Sequence, residues 1–150
     1  FIYAAGDSAT GSFDTITDIG LADAGADKDT LDLVGVPTIA ANSAGTNGAD
    51  AGAIKSHAIT NGRISFSDQD TFAGAIANFS LDDAIAYLGA NITGGTMDMH
   101  AVVFQSGADS YLFQNIETGG DLFIQLSNAS QKWSLPSSGL SSGLDLRPSG

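Results

Sequence analysis

The chain has no cysteine, a single glutamate, two histidines, three prolines and five basic residues, and no apolar run that approaches the length of a membrane helix. Without thiols there are no disulfides, thiolate metal sites or cysteine nucleophiles. Five bases against 17 acids leave a formal net charge of −12 and a sequence pI near 4.1. Nucleic acid is therefore not expected as a partner, because binding it takes clustered Lys and Arg to displace counterions. The longest apolar stretches, residues 101–104 and 122–126, fall far below the roughly 20 residues of a spanning helix, so no membrane span is expected. No basic segment precedes an apolar one at the start, and residues 1–5 already read as a strand. No cleavable export signal is expected there, and the chain is expected to begin inside a longer protein. With only His57 and His100, a His-based metal site is not expected, and each reads as a surface or strand position.

What is abundant is aspartate. Glu117 is the only Glu, and the other 16 acids are Asp. A surface that merely needed charge for solubility would mix the two. Asp, the shorter carboxylate, suits turns and the oxygen coordination of a hard cation close to the backbone. Mutual repulsion among the carboxylates would also be relieved by a divalent cation. In a chain that cannot form disulfides, calcium is a plausible alternative cross-link for an exported domain. At 150 residues and 43% hydrophobic the chain can bury one core, so one domain is expected, over residues 1–133.

Local patterns predict a mainly β fold, a roll or sandwich with a short helical insertion. Residues 1–5 and 13–19 read as strands around Gly6-Asp7-Ser8, and a second acidic loop spans 23–29. Leu31 and Leu33 then face one side of a strand and Asp32 the other. Residues 42–53, almost wholly Asn, Ser, Ala, Gly, Thr and Asp, read as a long exposed loop. Residues 53–60 and 63–68 flank Asn61-Gly62, a pair suited to the positive φ angles of a tight hairpin. Over 69–89 the apolar period becomes helical and predicts two short helices meeting near Phe79. Ser80 is the N-cap of the second, Asp82 and Asp83 lie in its first turn, and Gly89 ends it.

Residues 99–105, 111–116 and 121–127 predict an antiparallel meander whose core includes Val102, Phe104, Leu112, Leu122, Ile124 and Leu126. Tyr3, Phe104, Tyr111, Phe113 and Phe123 read as core rather than as an exposed strip for sugars. Residues 134–150 form a low-complexity Ser/Gly/Leu tail.

Three segments together resemble the C-terminal region of type I-secreted RTX and S-layer-like bacterial proteins, including serralysin-like proteases. The first, Phe1-Ile2-Tyr3-Ala4-Ala5-Gly6-Asp7-Ser8, is similar to the strand and turn leaving the last coil of a calcium β-roll. The second, Asp14-Thr15-Ile16-Thr17-Asp18-Ile19-Gly20 followed by Asp29-Thr30-Leu31-Asp32-Leu33, resembles the family's "D-x-I-x-D-F … D-x-I-D-L" connection, with Ile19 in place of Phe. The third, residues 107–114 with 120–126, is similar to its closing "D-x-Y-V-F-Q … D-T-L-V-Q-L" strands. No complete G-G-x-G-x-D-x-U-x nonapeptide occurs, so a parallel roll would lie upstream or be missing.

The resemblance implies a calcium-stabilised, non-catalytic extracellular domain whose partner is the upstream part of the same polypeptide, with homotypic lattice or filament contacts as a further option. The candidate calcium ligands are Asp7, Asp14, Asp18, Asp29 and Asp32, which offer carboxylates beside turn carbonyls. Asp109 and Asp121 are weaker candidates, since Asp before a strand is a common turn residue. Gly6-Asp7-Ser8 also resembles the nucleophile block of GDSL-type esterases, but the chain offers only Asp98-Met99-His100 where such enzymes need a D-x-x-H pair, so no catalytic residue is expected. Two rivals stand beside this reading: a self-assembling surface-layer or filament subunit, and a carbohydrate-binding module.

Overall fold

The computed structural model describes residues 1–17, 19, 31–93, 99–117 and 119–127, together with the backbone of 133–134 and 147–148. The fold is mainly β, as expected, and its centre is one mixed open sheet. The predicted meander is present as β6 (Met99–Ser106), β7 (Asp109–Gln114) and β8 (Leu122–Leu126), paired antiparallel in that order. The predicted hairpin is β4 (Ile54–Thr60) and β5 (Arg63–Ser67). Its turn residues Asn61 and Gly62 have φ of 50° and 72°, the left-handed values that this turn needs and that few other residue pairs adopt cheaply.

Other elements depart from the sequence reading. The strand expected over 13–19 shortens to β1 (Asp14–Ile16), which runs parallel to β8, and the one expected over 1–5 reduces to a single parallel bridge between Ile2 and Asp32. β2 (Pro37–Ile39) pairs parallel with the start of β6. Residues 42–53 are not a loop but mostly a nine-residue strand, β3 (Ser43–Ala51), antiparallel to β4 and irregular in register. The glycines that suggested a loop are there because other groups lie against the strand. A Cβ on Gly45 would stand 2.8 Å from that of Phe72, one on Gly48 would overlap the Tyr87 hydroxyl and the Asn91 amide, and one on Gly52 would overlap the Asp83 carboxylate.

Only one of the two expected helices forms, α1 (Leu81–Asn91). Ser80 caps it through its hydroxyl, which accepts from Asp83 N–H at 3.0 Å, and Asp82 and Asp83 sit in the first turn as expected. Gly89 does not end it, because the last turn is held by a 2.8 Å bond from Ile92 N–H to Leu88 C=O. Residues 69–80 cross the sheet without regular structure, burying Ile76 and Phe79 in part, so their helical period reflects sheet contact rather than a helix. In the tail, β9 (Trp133–Ser134) pairs antiparallel with β10 (Arg147–Pro148).

The strand order is β1-β8-β7-β6-β5-β4-β3, with β2 also on β6. Two antiparallel blocks, β8-β7-β6 and β5-β4-β3, meet at the single parallel rung Arg63↔Val103, closed by Val103 N–H to Gly62 C=O at 2.9 Å. Strand alternation gives the first block two different faces. Ala101, Val103, Leu112, Leu122, Ile124 and Leu126 form an aliphatic face that Ile16, Leu31 and Leu33 cover. Val102, Phe104, Tyr111, Phe113 and Phe123 form an aromatic face continuous with Ile59, Ile64 and Phe66 and covered by Tyr87 and Leu88 of α1. Tyr111 and Phe104 stack at 5.2 Å, and Phe66 meets Phe104 edge-on at 5.4 Å across the seam between the blocks. Four of the five aromatics weighed as a sugar-binding strip are thus buried, and Tyr3 is partly so.

Candidate functional site

The acidic corner is built on Ser8. Its side chain is fully buried, its hydroxyl donates to Phe123 C=O and accepts from Asp14 N–H at 2.8 Å, and its own C=O accepts from Phe123 N–H at 2.9 Å. One serine thereby ties the Gly6-Asp7-Ser8 turn to β8 and sets where β1 begins. Asp7 closes the turn on itself: its N–H donates to Ala4 C=O at 3.1 Å while its carboxylate accepts from Ala4 N–H at 2.8 Å.

The segment 1–3 runs beside Asp32, whose N–H donates to Phe1 C=O at 2.8 Å and whose C=O accepts from Tyr3 N–H at 2.9 Å. Tyr3, half-buried, has its phenol pKa raised, first by burial and then by the negative charges of Asp14 and Asp7. Of the five candidate calcium ligands, the structure therefore brings Asp7 and Asp14 to one phenol and Asp32 to the neighbouring backbone. Asp18 and Asp29 lie outside the described residues. Among the described residues no three His, Cys, Asp or Glu side chains converge as a metal-binding group. No described Asp is buried, and Asp7, Asp14, Asp50, Asp68, Asp70 and Asp82 are exposed.

The two weaker candidates have structural partners. Asp121 accepts from Ile116 N–H at 3.0 Å and from the Asn115 amide at 3.2 Å, which closes the β7–β8 turn. The Asp109 carboxylate accepts from the Gln125 amide at 2.8 Å. Ser8, the residue of the esterase-like turn, has its hydroxyl committed to Phe123 and Asp14 and faces no solvent.

His57 takes the strand alternative, in β4, and not the surface one. It is only 4% exposed, and its Nδ1 lies 2.9 Å from the Tyr87 hydroxyl, itself buried beneath α1. Burial lowers the His57 pKa and pushes the Tyr87 phenol up to about 12, with Asp50 adding to the latter. The sequence held a signal for this, since His57 shares strand parity with the core residue Ile59. Two side-chain amides also went unforeseen. Gln114, buried, accepts from Val34 N–H at 3.2 Å and donates to Val34 C=O at 2.7 Å, which holds the 31–34 segment over the aliphatic face, and Asn91 treats Ala49 in the same way.

A cleft of about 220 Å³ opens where β5 and β6 diverge beyond their one rung, with Arg63, Ser65 and Gln105 at its polar side and Phe66, Phe79 and Phe104 at its apolar side. Comparison of the chain with protein-family models, with curated proteins and with solved structures gives no match in any of the three.

Proposed function

We propose that the chain is a non-catalytic, calcium-stabilised extracellular domain of an exported bacterial protein, of the type that follows a β-roll near the C-terminus of type I-secreted proteins. The observation that carries this reading is the acid population: 16 Asp to one Glu, against five bases, with no described Asp buried. Such a surface repels itself, and two of its carboxylates, Asp14 and Asp7, lie near enough to Tyr3 to raise its phenol pKa after burial has done so. A divalent cation bound there by the folded state alone would stabilise it by mass action. Where calcium is scarce the segment 1–16 stays loosely attached, which suits export. Outside the cell the ion draws it onto the aliphatic face through Ile16 and Tyr3.

The β-roll component of the proposal draws support from the parallel pairing of Ile2 with Asp32 and of β1 with β8, since a parallel roll supplied by the upstream part of the same polypeptide would continue that direction. The test is a calcium titration of metal-stripped protein followed by circular dichroism and sedimentation. Compaction and a stabilised fold at calcium concentrations where magnesium does little support the reading, and indifference to calcium removes it.

A further inference from the structure

The cleft between the two blocks of the sheet lies where β5 and β6, parallel neighbours joined by the rung Arg63↔Val103, part towards their carboxyl ends. The chain leaves the two strands in opposite directions: β6 turns back into β7, while β5 leads through residues 69–80 to α1, which packs on β3 and β4. Parallel strands whose continuations separate in this way leave a crevice outside their carboxyl ends, a common place for a small ligand. Strand alternation puts Arg63, Ser65 and Gln105 on one face of the pair and Phe66 and Phe104 on the other, and the gap lets both sets line one cleft. Its apolar side is closed by the segment around Ile76, whose N–H donates to Phe66 C=O at 2.8 Å, and by Phe79, edge-on to Phe66 at 5.1 Å.

The polar side holds donors that the fold does not use. Among the described residues neither the Arg63 guanidinium nor the Ser65 hydroxyl has a hydrogen-bond or ion-pair partner, and the Gln105 amide has only a 3.4 Å contact with Gly107 C=O. The chain has 17 acids and five bases, yet the described lining of the cleft includes one of those bases and no acid.

We propose that this cleft binds a small monocarboxylate with an apolar, ring-sized end. The carboxylate accepts from the Arg63 guanidinium, whose paired N–H groups match its two oxygens, and from the Ser65 hydroxyl. The apolar end lies against Phe79 and the edges of Phe66 and Phe104. Charge and size select this class. A cation finds no carboxylate in the described lining, and a phosphate dianion calls for a second base, whereas Lys55, the only other described Lys or Arg side chain, is outside the lining. At about 220 Å³ the cleft is smaller than the roughly 300–1,000 Å³ of drug-sized sites and suits a ligand on the order of ten non-hydrogen atoms. The site is separate from the acidic corner on β1 and β8 and does not depend on calcium binding there.

The test is a titration of the isotopically labelled chain, in calcium-containing buffer at neutral pH, with phenylacetate, phenylacetamide and phenethylamine, followed by NMR shifts of the backbone amides. Phenylacetate should give saturable shifts centred on residues 63–66, 76–79 and 104–107, with a dissociation constant on the order of 1 mM. The neutral amide and the amine should each bind at least about fivefold more weakly. That order is diagnostic, because the net charge of −12 repels anions as a whole, so a preference for the carboxylate can come only from a local contact. Arg63→Gln should abolish the preference of acid over amide, and Lys55→Gln should leave it unchanged. Absence of saturable shifts with phenylacetate overturns the proposal, as does equal binding of acid and amide. A preference that survives Arg63→Gln, or that Lys55→Gln also removes, overturns it too, since the carboxylate is then not held at Arg63. Should Arg63→Gln fail to fold, the comparison of acid with amide on the wild type decides alone.

Discussion

Asn91, the last residue of α1, holds Ala49 by both of its backbone groups: its amide oxygen accepts from Ala49 N–H at 2.7 Å and its amide nitrogen donates to Ala49 C=O at 3.0 Å. The register of β3 on β4 shifts between Asn47 and Ala51, and within that irregular stretch one side chain partners the backbone of Ala49 and fastens the helix to the sheet. Replacing Asn91 by Ala removes both bonds and should lower stability by about 1–2 kcal/mol at unchanged fold, read as a shift in urea midpoint without a change in slope. Asn91→Asp keeps the acceptor but loses the donor, and should fall between the two.

Gly48 should be the least replaceable position of β3. Its Cβ would overlap the Tyr87 hydroxyl and the Asn91 amide together, so Gly48→Ala must displace groups that are bonded to His57 and Ala49 and should cost roughly 1–3 kcal/mol. Gly11→Ala, where an added Cβ meets nothing within 4 Å, is the control and should be near neutral. Equal effects at the two positions would remove the close-packing account of the strand's glycines.

The buried His57–Tyr87 pair gives stability a pH dependence of determined sign. His57 has a folded pKa lowered from 6.5 by burial, so the unfolded chain binds the extra proton more readily. Its contribution is complete above about pH 6.5 and is lost as pH falls through the lowered folded value. Tyr87 works in the opposite direction, with its phenol raised from 10.0 to about 12, so its contribution is complete below pH 10 and is lost as pH rises towards 12. Denaturant midpoints in chelator should therefore fall between pH 7.5 and 5.5 more steeply for wild type than for His57→Gln. At the alkaline end Tyr87→Phe should flatten the profile.

Calcium should raise the thermal midpoint by several degrees, because saturation at about 100 times the dissociation constant adds about 2.7 kcal/mol. Magnesium, which requires a smaller and more nearly octahedral site, should do less. Asp7→Asn with Asp14→Asn should reduce the calcium shift and at the same time raise the calcium-free midpoint, since it removes two exposed carboxylates from a chain of net charge −12. Equal melts in calcium and chelator would rule out the proposed function.

Ser8→Ala separates a structural serine from a nucleophilic one. Losing the hydroxyl strands Asp14 N–H and Phe123 C=O in a part-buried site, so the variant should lose roughly 1–3 kcal/mol of stability. Short-chain ester substrates should show no turnover with either protein. Ester hydrolysis by wild type that vanishes in Ser8→Ala would make the esterase-like turn the leading reading.

The legible parts of the fold were those in which one local rule acts alone. Asn61-Gly62 needs only its turn chemistry, Ser80 only its cap, and the 99–127 meander only alternation. β3 and the turn after it were illegible because their glycines answer to Phe72, Tyr87, Asn91 and Asp83, residues distant in sequence whose approach no local pattern records. Residues 72–79 misled in the opposite way: Phe72, Ile76 and Phe79 have helical spacing, yet they are spaced by the sheet they cross. At the acidic corner the sequence pointed to Asp7 and Asp14, which do act together on Tyr3, but it gave no hint that Ser8 is the residue that positions them.

The lone rung between Arg63 and Val103 has a mechanical consequence. Within each block, neighbouring strands are joined by ladders of several residue pairs, whereas the blocks are joined by that one backbone rung and by side-chain packing across the seam, including Phe66 edge-on to Phe104 and Phe79 against both. Tension applied along the strands would load the ladders in shear, all bonds together, but would meet one hydrogen bond and a layer of rings at the seam. A chain pulled from its ends should part there first and extend in two steps, with β3-β4-β5 and β6-β7-β8 yielding as separate units.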